Sequence, residues 1–257
     1  MTRLSSILVD VELPDPAPLS PALVDLLASL RIVLVGWYAV PEQTSPAQAR
    51  DQFEHKAQVA LDSIASSFEE AGATVDTHLV FTGDKLDTIS RVSSEQDCDA
   101  VLIPAALERL ERLLVPLRGL HNAQRIAPLV ADLVRDSMTS QGGTTVTLLH
   151  ILEPDETETA ARQAVLQPAA ETMADAGLPT GLLELKTTTA DNPATTVVEM
   201  SADYDLVVLG ETEPSVREIL FGSIPEQIVT NARVPVVVVR HEEEAVEVAE
   251  RATQSDE

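Results

Sequence analysis

The sequence predicts an α/β protein made of two similar repeats, each an open parallel sheet with helices on both faces. Short aliphatic runs alternate with longer stretches of helical period, an order that produces parallel strands joined by crossover helices. This order of elements occurs twice along the chain. With 257 residues, 44% hydrophobic and 3% aromatic, the chain can bury an aliphatic core without disulfides or metals.

Two pairs of matching segments reveal the repeat. Residues 7–11 match residues 113–117, and residues 97–103 match residues 203–209, in both cases 106 positions apart. Two matches at one spacing are hard to obtain by chance, and a repeat of this kind determines the architecture.

Nine aliphatic runs are predicted as strands, and their uniformly apolar character indicates burial on both faces. They are residues 7–11, 32–40, 74–81 and 100–103 in the first repeat, and 113–117, 146–152, 181–187, 206–209 and 234–239 in the second. Residues 48–70 and 159–176 have the period of amphipathic helices. Each is followed by a glycine, Gly72 or Gly177, that can adopt the positive φ with which helices often end.

The two repeats differ in length. Only about eight residues separate the fourth strand of the first repeat from residue 113, too few for a crossover helix and another strand. We therefore predict a first repeat over residues 1–108 that lacks its last helix and strand, a complete second repeat over 109–241, and an acidic tail over 242–257.

The charge balance narrows the range of partners. Seventeen basic against 42 acidic residues leave a net charge of −25, which repels nucleic acid and anionic membrane surfaces. Lysine is scarce, as in proteins of a salt-adapted cytoplasm. No apolar run approaches the roughly 20 residues that span a bilayer, and one cysteine, Cys98, cannot form an internal disulfide. We expect a cytoplasmic protein with no nucleic-acid partner and no membrane insertion.

The chain resembles the universal stress protein family and is similar to its tandem members. The resemblance rests on residues 113–125, 146–154, 203–210, 220–229 and 234–239, the last of which read Val-Pro-Val-Val-Val-Val. The second repeat matches along its whole length, and the first is recognised through its similarity to the second. The resemblance implies five-stranded parallel sheets of the adenine nucleotide alpha hydrolase-like fold, dimers formed through the last strand and, in some members, ATP at the strand ends.

The nucleotide motif of the family is incomplete in this chain. ATP-binding members carry G-x2-G-x9-G-[ST] after the fourth strand, where glycines let backbone amides approach phosphates. Here Gly210, Gly222 and Ser223 keep the outer positions, Glu213 replaces the second glycine, and the segment is one residue short. Carboxylates facing a triphosphate oppose binding. Gly222 and Ser223 also have a structural interpretation, a tight loop and a helix cap.

A second family position is altered as well. The acidic residue that follows the first strand in ATP-binding members is Arg118 in the second repeat and Glu12 in the first. We therefore expect a non-enzymatic stress or regulatory module that acts through protein interfaces, with a transporter or a signalling protein as partner. The alternative is an ATP or AMP sensor that uses Gly210, Arg217, Gly222 and Ser223. A nucleotide hydrolase is a third option, but it lacks a candidate base.

The sequence of the last predicted strand, residues 234–239, indicates how two copies of the chain would pair. An unpaired aliphatic strand is a template for another strand, and the proline near its start is tolerated at a sheet edge. We expect a homodimer through Val234, Val236, Val237, Val238 and Val239, paired antiparallel about a two-fold axis. The competing outcome is a monomer in which the first repeat covers this edge.

Other residues that could take part in catalysis have structural interpretations. His150 lies near the end of a core strand, where a hydrogen-bonded structural histidine is expected. Cys98 stands between Asp97 and Asp99, whose charges would raise its pKa and make a reactive thiolate improbable. These aspartates, like the pair Asp203 and Asp205, precede their strands and are expected to cap the preceding turn.

Overall fold

The computed structural model describes residues 5–41, 44–120, 122–135, 143–211, 227–229 and 231–240. Nine strands form one sheet in the order β3-β2-β1-β4-β9-β8-β5-β6-β7. The strands are β1 (Ser6–Leu13), β2 (Arg31–Ala39), β3 (Thr74–Thr82), β4 (Ala100–Ile103), β5 (Arg112–Leu117), β6 (Thr145–Ile151), β7 (Leu183–Thr188), β8 (Leu206–Gly210) and β9 (Val236–Val239). All nine overlap the predicted runs.

The helices cover both faces of the sheet, as predicted. They are α1 (Pro21–Leu27), α2 (Pro46–Glu70), α3 (Lys85–Glu95), α4 (Ala123–Val134), α5 (Glu158–Ala161), α6 (Gln167–Asp175) and α7 (Pro193–Ser201), and a π-helical segment, Arg162–Leu166, joins α5 to α6. Gly72 and Gly177 follow α2 and α6 with φ of 102° and 104°, so the predicted left-handed helix ends are confirmed. Within the described ranges, no helix is long and apolar enough to cross a membrane.

The direction of the strands divides the sheet in two. Strands β1 to β4 are mutually parallel, as are β5 to β9, whereas β4 and β9 pair antiparallel. The first half, β1–β4, and the second half, β5–β9, therefore run in opposite directions. Residues 104–111, between β4 and β5, form neither helix nor strand, so β4 is followed directly by the second half.

The prediction that the last strand is an unpaired edge is wrong. Strand β9 pairs with β8 on one side and with β4 on the other, where Leu102 lies opposite Val237 and Val101 opposite Val238. These four side chains are at most 1% exposed. Because both edges of β9 are hydrogen-bonded within the chain, the predicted homodimer through this strand has no free edge to use. The competing outcome, in which the first half covers β9, describes the structure.

The core consists of one layer on each face of the sheet. Leu61 and Phe68 of α2, Val130 of α4 and Met173 of α6 are fully buried on one face, while Ile89 of α3 lies in the smaller layer on the other. Burial of such side chains contributes about 1.5–3 kcal/mol each. The larger layer contains residues of both halves, so their helices share one core.

Helix α4 also joins the halves through a polar contact. The Ser5 hydroxyl, just before β1, donates a hydrogen bond of 2.7 Å to the Asp132 carboxylate of α4. Arg135 donates to the other carboxylate oxygen of Asp132, which is only 9% exposed. Because both oxygens of this buried carboxylate have partners, the contact stabilises the packing of α4 against the start of β1.

Candidate functional site

The order of the strands identifies two places where a ligand could bind. In open α/β sheets, ligands bind beyond the carboxyl ends of the strands, where the strand order reverses. The reversals fall between β1 and β4 in the first half and between β5 and β8 in the second. Because the halves run in opposite directions, these two switch points lie at opposite ends of the strands.

At the switch point of the second half, the end of β8 contacts the start of α4. A Cβ atom added to Gly210 would lie 2.4 Å from Cγ and Nδ2 of Asn122, the residue that precedes α4. Any larger residue at position 210 would force the Asn122 side chain to move. Gly210 therefore leaves room for the Asn122 side chain, which occupies the space next to it.

Arginines surround this switch point. Arg118 follows β5 and is exposed, in the position where the family resemblance expects an acidic residue. Arg125, in the first turn of α4, donates a hydrogen bond of 3.3 Å to the Arg240 carbonyl oxygen at the end of β9. The guanidinium of Arg240 reaches the first half, where its Nη2 donates to the Ser94 hydroxyl at 2.9 Å. Carboxylates lie at the same strand ends, Glu211 after β8 and Glu156 after β6, so the region carries charges of both signs.

Of the four predicted nucleotide contacts, Gly210 alone is placed by the structure. Arg217, Gly222 and Ser223, together with Glu213, lie outside the described residues. Their roles remain predictions from the sequence.

His150 lies at the end of β6, beside the same switch point. Its Nδ1 is 3.0 Å from the Leu117 carbonyl oxygen and its Nε2 is 2.8 Å from Oε2 of Glu156. The residue is 5% exposed, so the predicted hydrogen-bonded structural histidine is confirmed. The hydrogen bond from His150, supported by one from the Glu153 amide, lowers the pKa of Glu156.

The switch point of the first half contains an ion pair that the sequence analysis missed. Oδ2 of Asp10, on β1, lies 2.7 Å from Nζ of Lys85, the first residue of α3. That nitrogen is also 5.1 Å from the ring centroid of Trp37, on β2. One feature of the sequence could have indicated this pair: Asp10 interrupts an aliphatic strand. A carboxylate buried in such a strand needs a cation or a hydrogen-bond donor as partner.

The aspartates before β4 and β8 have equivalent structural roles in the two halves. Asp99 accepts hydrogen bonds from the Ser6 amide at 2.7 Å and the Ser6 hydroxyl at 2.8 Å. Asp205 accepts from the amides of Glu111 and Arg112 at 2.9 and 2.8 Å. Both fix the amino end of the neighbouring strand, β1 or β5, rather than the preceding turn that we predicted.

Cys98 has the unreactive character predicted for it, for a different main reason. Burial, more than the charges of Asp97 and Asp99, raises the pKa of its thiol to about 11. Arg31 and Arg240 act in the opposite direction. A buried thiol with this pKa carries almost no thiolate at neutral pH.

The fold and its switch points define an open α/β protein of the Rossmann-like class. The family model described as the universal stress protein family matches residues 109–240. This chain belongs to the universal stress protein family. No curated protein sequence matches the chain.

Solved structures share the fold over the whole chain. A universal stress protein from Archaeoglobus fulgidus DSM 4304 has a TM-score of 0.59 and 14% identity, with 92% of this chain and 98% of that chain covered. A protein assigned to the universal stress proteins, from Pseudomonas aeruginosa UCBPP-PA14, has a TM-score of 0.56 and 15% identity, with 97% and 98% covered. At these identities, the likeness shows the fold alone.

Proposed function

We propose that this chain is a non-enzymatic regulatory member of its family that acts through protein–protein interfaces. The observation that carries the proposal is the contact between Asn122 and Gly210. Phosphate binding at a glycine depends on close approach to its backbone, and the Asn122 side chain fills the space at Gly210. No catalytic base is proposed among the described residues, because His150, beside this switch point, has acceptors at both ring nitrogens.

The first half supports the same proposal. The Asp10 carboxylate lies at its switch point, and Glu12 is exposed two residues further along β1. The charge of Asp10 is balanced by Lys85, and the Glu12 carboxylate opposes the binding of a phosphate group there. We propose that this half is a truncated copy of the family fold which uses β9 of the second half in place of a last strand of its own.

The partner and the setting of this module are proposals too. With no nucleotide to sense, the module would act by contact, with a transporter or a signalling protein as partner in a salt-rich cytoplasm. The net charge of −25 favours partners with basic surfaces and makes long-range steering of the encounter dependent on salt.

An ATP or AMP sensor is the second candidate, and the arginines favour it. Helix α4 begins at the switch point, so its positive dipole end faces a potential anion site. Arg118 lies at the end of the neighbouring β5. An anion there would have a cation and a helix terminus within reach, and Arg217, Gly222 and Ser223 would complete the site.

Equilibrium binding of labelled ATP and AMP, with and without Mg²⁺, separates these proposals. The regulatory module predicts no saturable binding at nucleotide concentrations up to about a millimolar, equivalent to less than about 4 kcal/mol. The sensor predicts micromolar binding that weakens in an Arg118→Ala variant and is unchanged in Arg109→Ala, a surface arginine paired with Glu111. Micromolar binding to the wild type would reject the first proposal.

A further inference from the structure

The switch point of the first half contains the two groups with which proteins recognise ammonium ions, and one ammonium is already bound there. A carboxylate contributes charge and hydrogen bonds, and the face of an indole ring contributes cation–π attraction. Nζ of Lys85 lies 2.7 Å from Oδ2 of Asp10 and 5.1 Å from the centroid of the Trp37 ring. We call these two groups, Asp10 and Trp37, the ammonium box.

The box is fixed in the sheet, whereas its occupant comes from the surface. Asp10 is 6% exposed and is held in β1, which is paired on both sides by β2 and β4. Trp37 is on the neighbouring β2. The Lys85 side chain is 41% exposed and belongs to the first residue of α3. A long side chain at that position can turn into solvent without breaking a hydrogen bond of the helix.

The other lysine–aspartate pair of the first half shows what is particular to the box. Lys56 and Asp15 are 3.2 Å apart, but their side chains are 62% and 82% exposed. Such a surface pair has little net energy, and neither partner requires the other. Asp10, in contrast, is buried and requires a cation wherever Lys85 goes.

The surroundings of the box attract cations. Glu12 on β1, Asp84 before α3 and Asp87 in its first turn are acidic residues near the box, and the chain has a net charge of −25. A field of this sign raises the local concentration of organic cations.

We propose that the box is a binding site for small organic ammonium ions, and that Lys85 is its resident, exchangeable occupant. A primary ammonium group of an alkylamine or polyamine would take the position of Nζ between the Asp10 carboxylate and the Trp37 ring. The Lys85 side chain would then turn towards Asp84 and Asp87. This site does not depend on the nucleotide motif and is separate from the proposed regulatory role.

Trp37 is the one tryptophan of the chain, so its fluorescence reports directly on the box. In a Lys85→Ala variant, we expect altered Trp37 emission and a lower thermal midpoint than in the wild type. Propylammonium chloride should restore both saturably, with half-saturation at millimolar concentration, while KCl at matched ionic strength should not. The Lys56→Ala variant is the matched control and should show no difference between the two salts. Equal responses of Lys85→Ala to both salts would reject the site.

The exchange of Lys85 is tested in the full-length wild-type protein, which also decides the matter if Lys85→Ala does not fold. Spermidine should change the Trp37 emission saturably beyond the effect of KCl at the same ionic strength. Asp10→Asn, which keeps the shape and removes the charge, should lower the apparent affinity at least tenfold, and Asp15→Asn should leave it unchanged. A wild type with no response to spermidine, or an Asp10→Asn variant with an undiminished one, would overturn the proposal.

Discussion

Leu102 of β4 and Val237 of β9 lie opposite each other in antiparallel register, both fully buried, and join the two halves of the sheet. One strand thus has a double role. For the second half, β9 is the fifth parallel strand, and for the first half it is the neighbour that covers the free side of β4. Because β4 pairs with β1 on one side and with β9 on the other, it presents no exposed edge.

A charge in the shared strand should unfold the protein rather than separate a dimer. Val237→Lys places an ammonium group where the exposed fraction is zero, at a cost of several kcal/mol. Chemical denaturation should show a large loss of stability or no folded state. Val59→Lys, at a residue that is 57% exposed, should change the stability by less than about 0.5 kcal/mol. A folded, monomeric Val237→Lys variant would contradict the central position of β9.

The aspartates before β4 and β8 should contribute similar amounts to stability. Asp205→Ala removes two hydrogen bonds from backbone amides to a carboxylate, and we expect a loss of about 1.5–3 kcal/mol in the free energy of unfolding. Asp99→Ala should have a comparable effect. The exposed Asp203 is the matched control, and Asp203→Ala should be nearly neutral in the same urea titration. Equal effects of the Asp203 and Asp205 substitutions would contradict this assignment.

The packing of Gly210 against Asn122 predicts a strong coupling between them. Gly210→Ala adds a Cβ at 2.4 Å from Asn122 side-chain atoms and should cost about 1–3 kcal/mol. In an Asn122→Gly background the same change should cost much less, because the side chain that it strikes is gone. A double-mutant cycle by thermal denaturation measures this coupling. Additive effects would show that another constraint requires the glycine.

Glu156 should stabilise the fold only above acidic pH. Its pKa is lowered in the folded state by the hydrogen bond from His150, so its contribution is present above the ordinary glutamate pKa of about 4.3 and is lost as the pH falls through the lowered value. Glu156→Gln should cost about 1–2 kcal/mol at pH 7 and clearly less at pH 3. Glu153→Gln, with an exposed side chain, is the control. A pH-independent difference between wild type and Glu156→Gln would rule out this linkage.

Salt should stabilise the protein strongly. A net charge of −25 opposes compaction through self-repulsion, and molar salt shortens the Debye length to about 3 Å. Thermal midpoints should therefore rise steeply from low to molar KCl. A flat profile would remove the argument for salt adaptation and leave the fold unaffected.

The sequence by itself determined the nine strands and the positions of the helices at residues 48–70 and 159–176. The strands follow from uniformly apolar runs and the helices from a period of 3.6 residues, and the ends of α2 and α6 follow from Gly72 and Gly177, because such signals act over a few neighbouring residues. The short connection after β4 was also predictable from the sequence, because eight residues are too few for a crossover helix and another strand. Membership of the family followed from the motifs of the second half.

The tertiary structure alone decided which distant residues meet. Nothing in the aliphatic run 234–239 shows that its free edge pairs with β4, some 135 positions earlier, because backbone hydrogen bonds do not depend on side-chain identity. The contacts of Asp10 with Lys85 and of Asn122 with Gly210 likewise join separate elements, whose relative placement is set by the packing of the whole core. A local sequence pattern indicates which helix or strand a segment can form. Which other segments it contacts is determined only by the packing of the whole sheet.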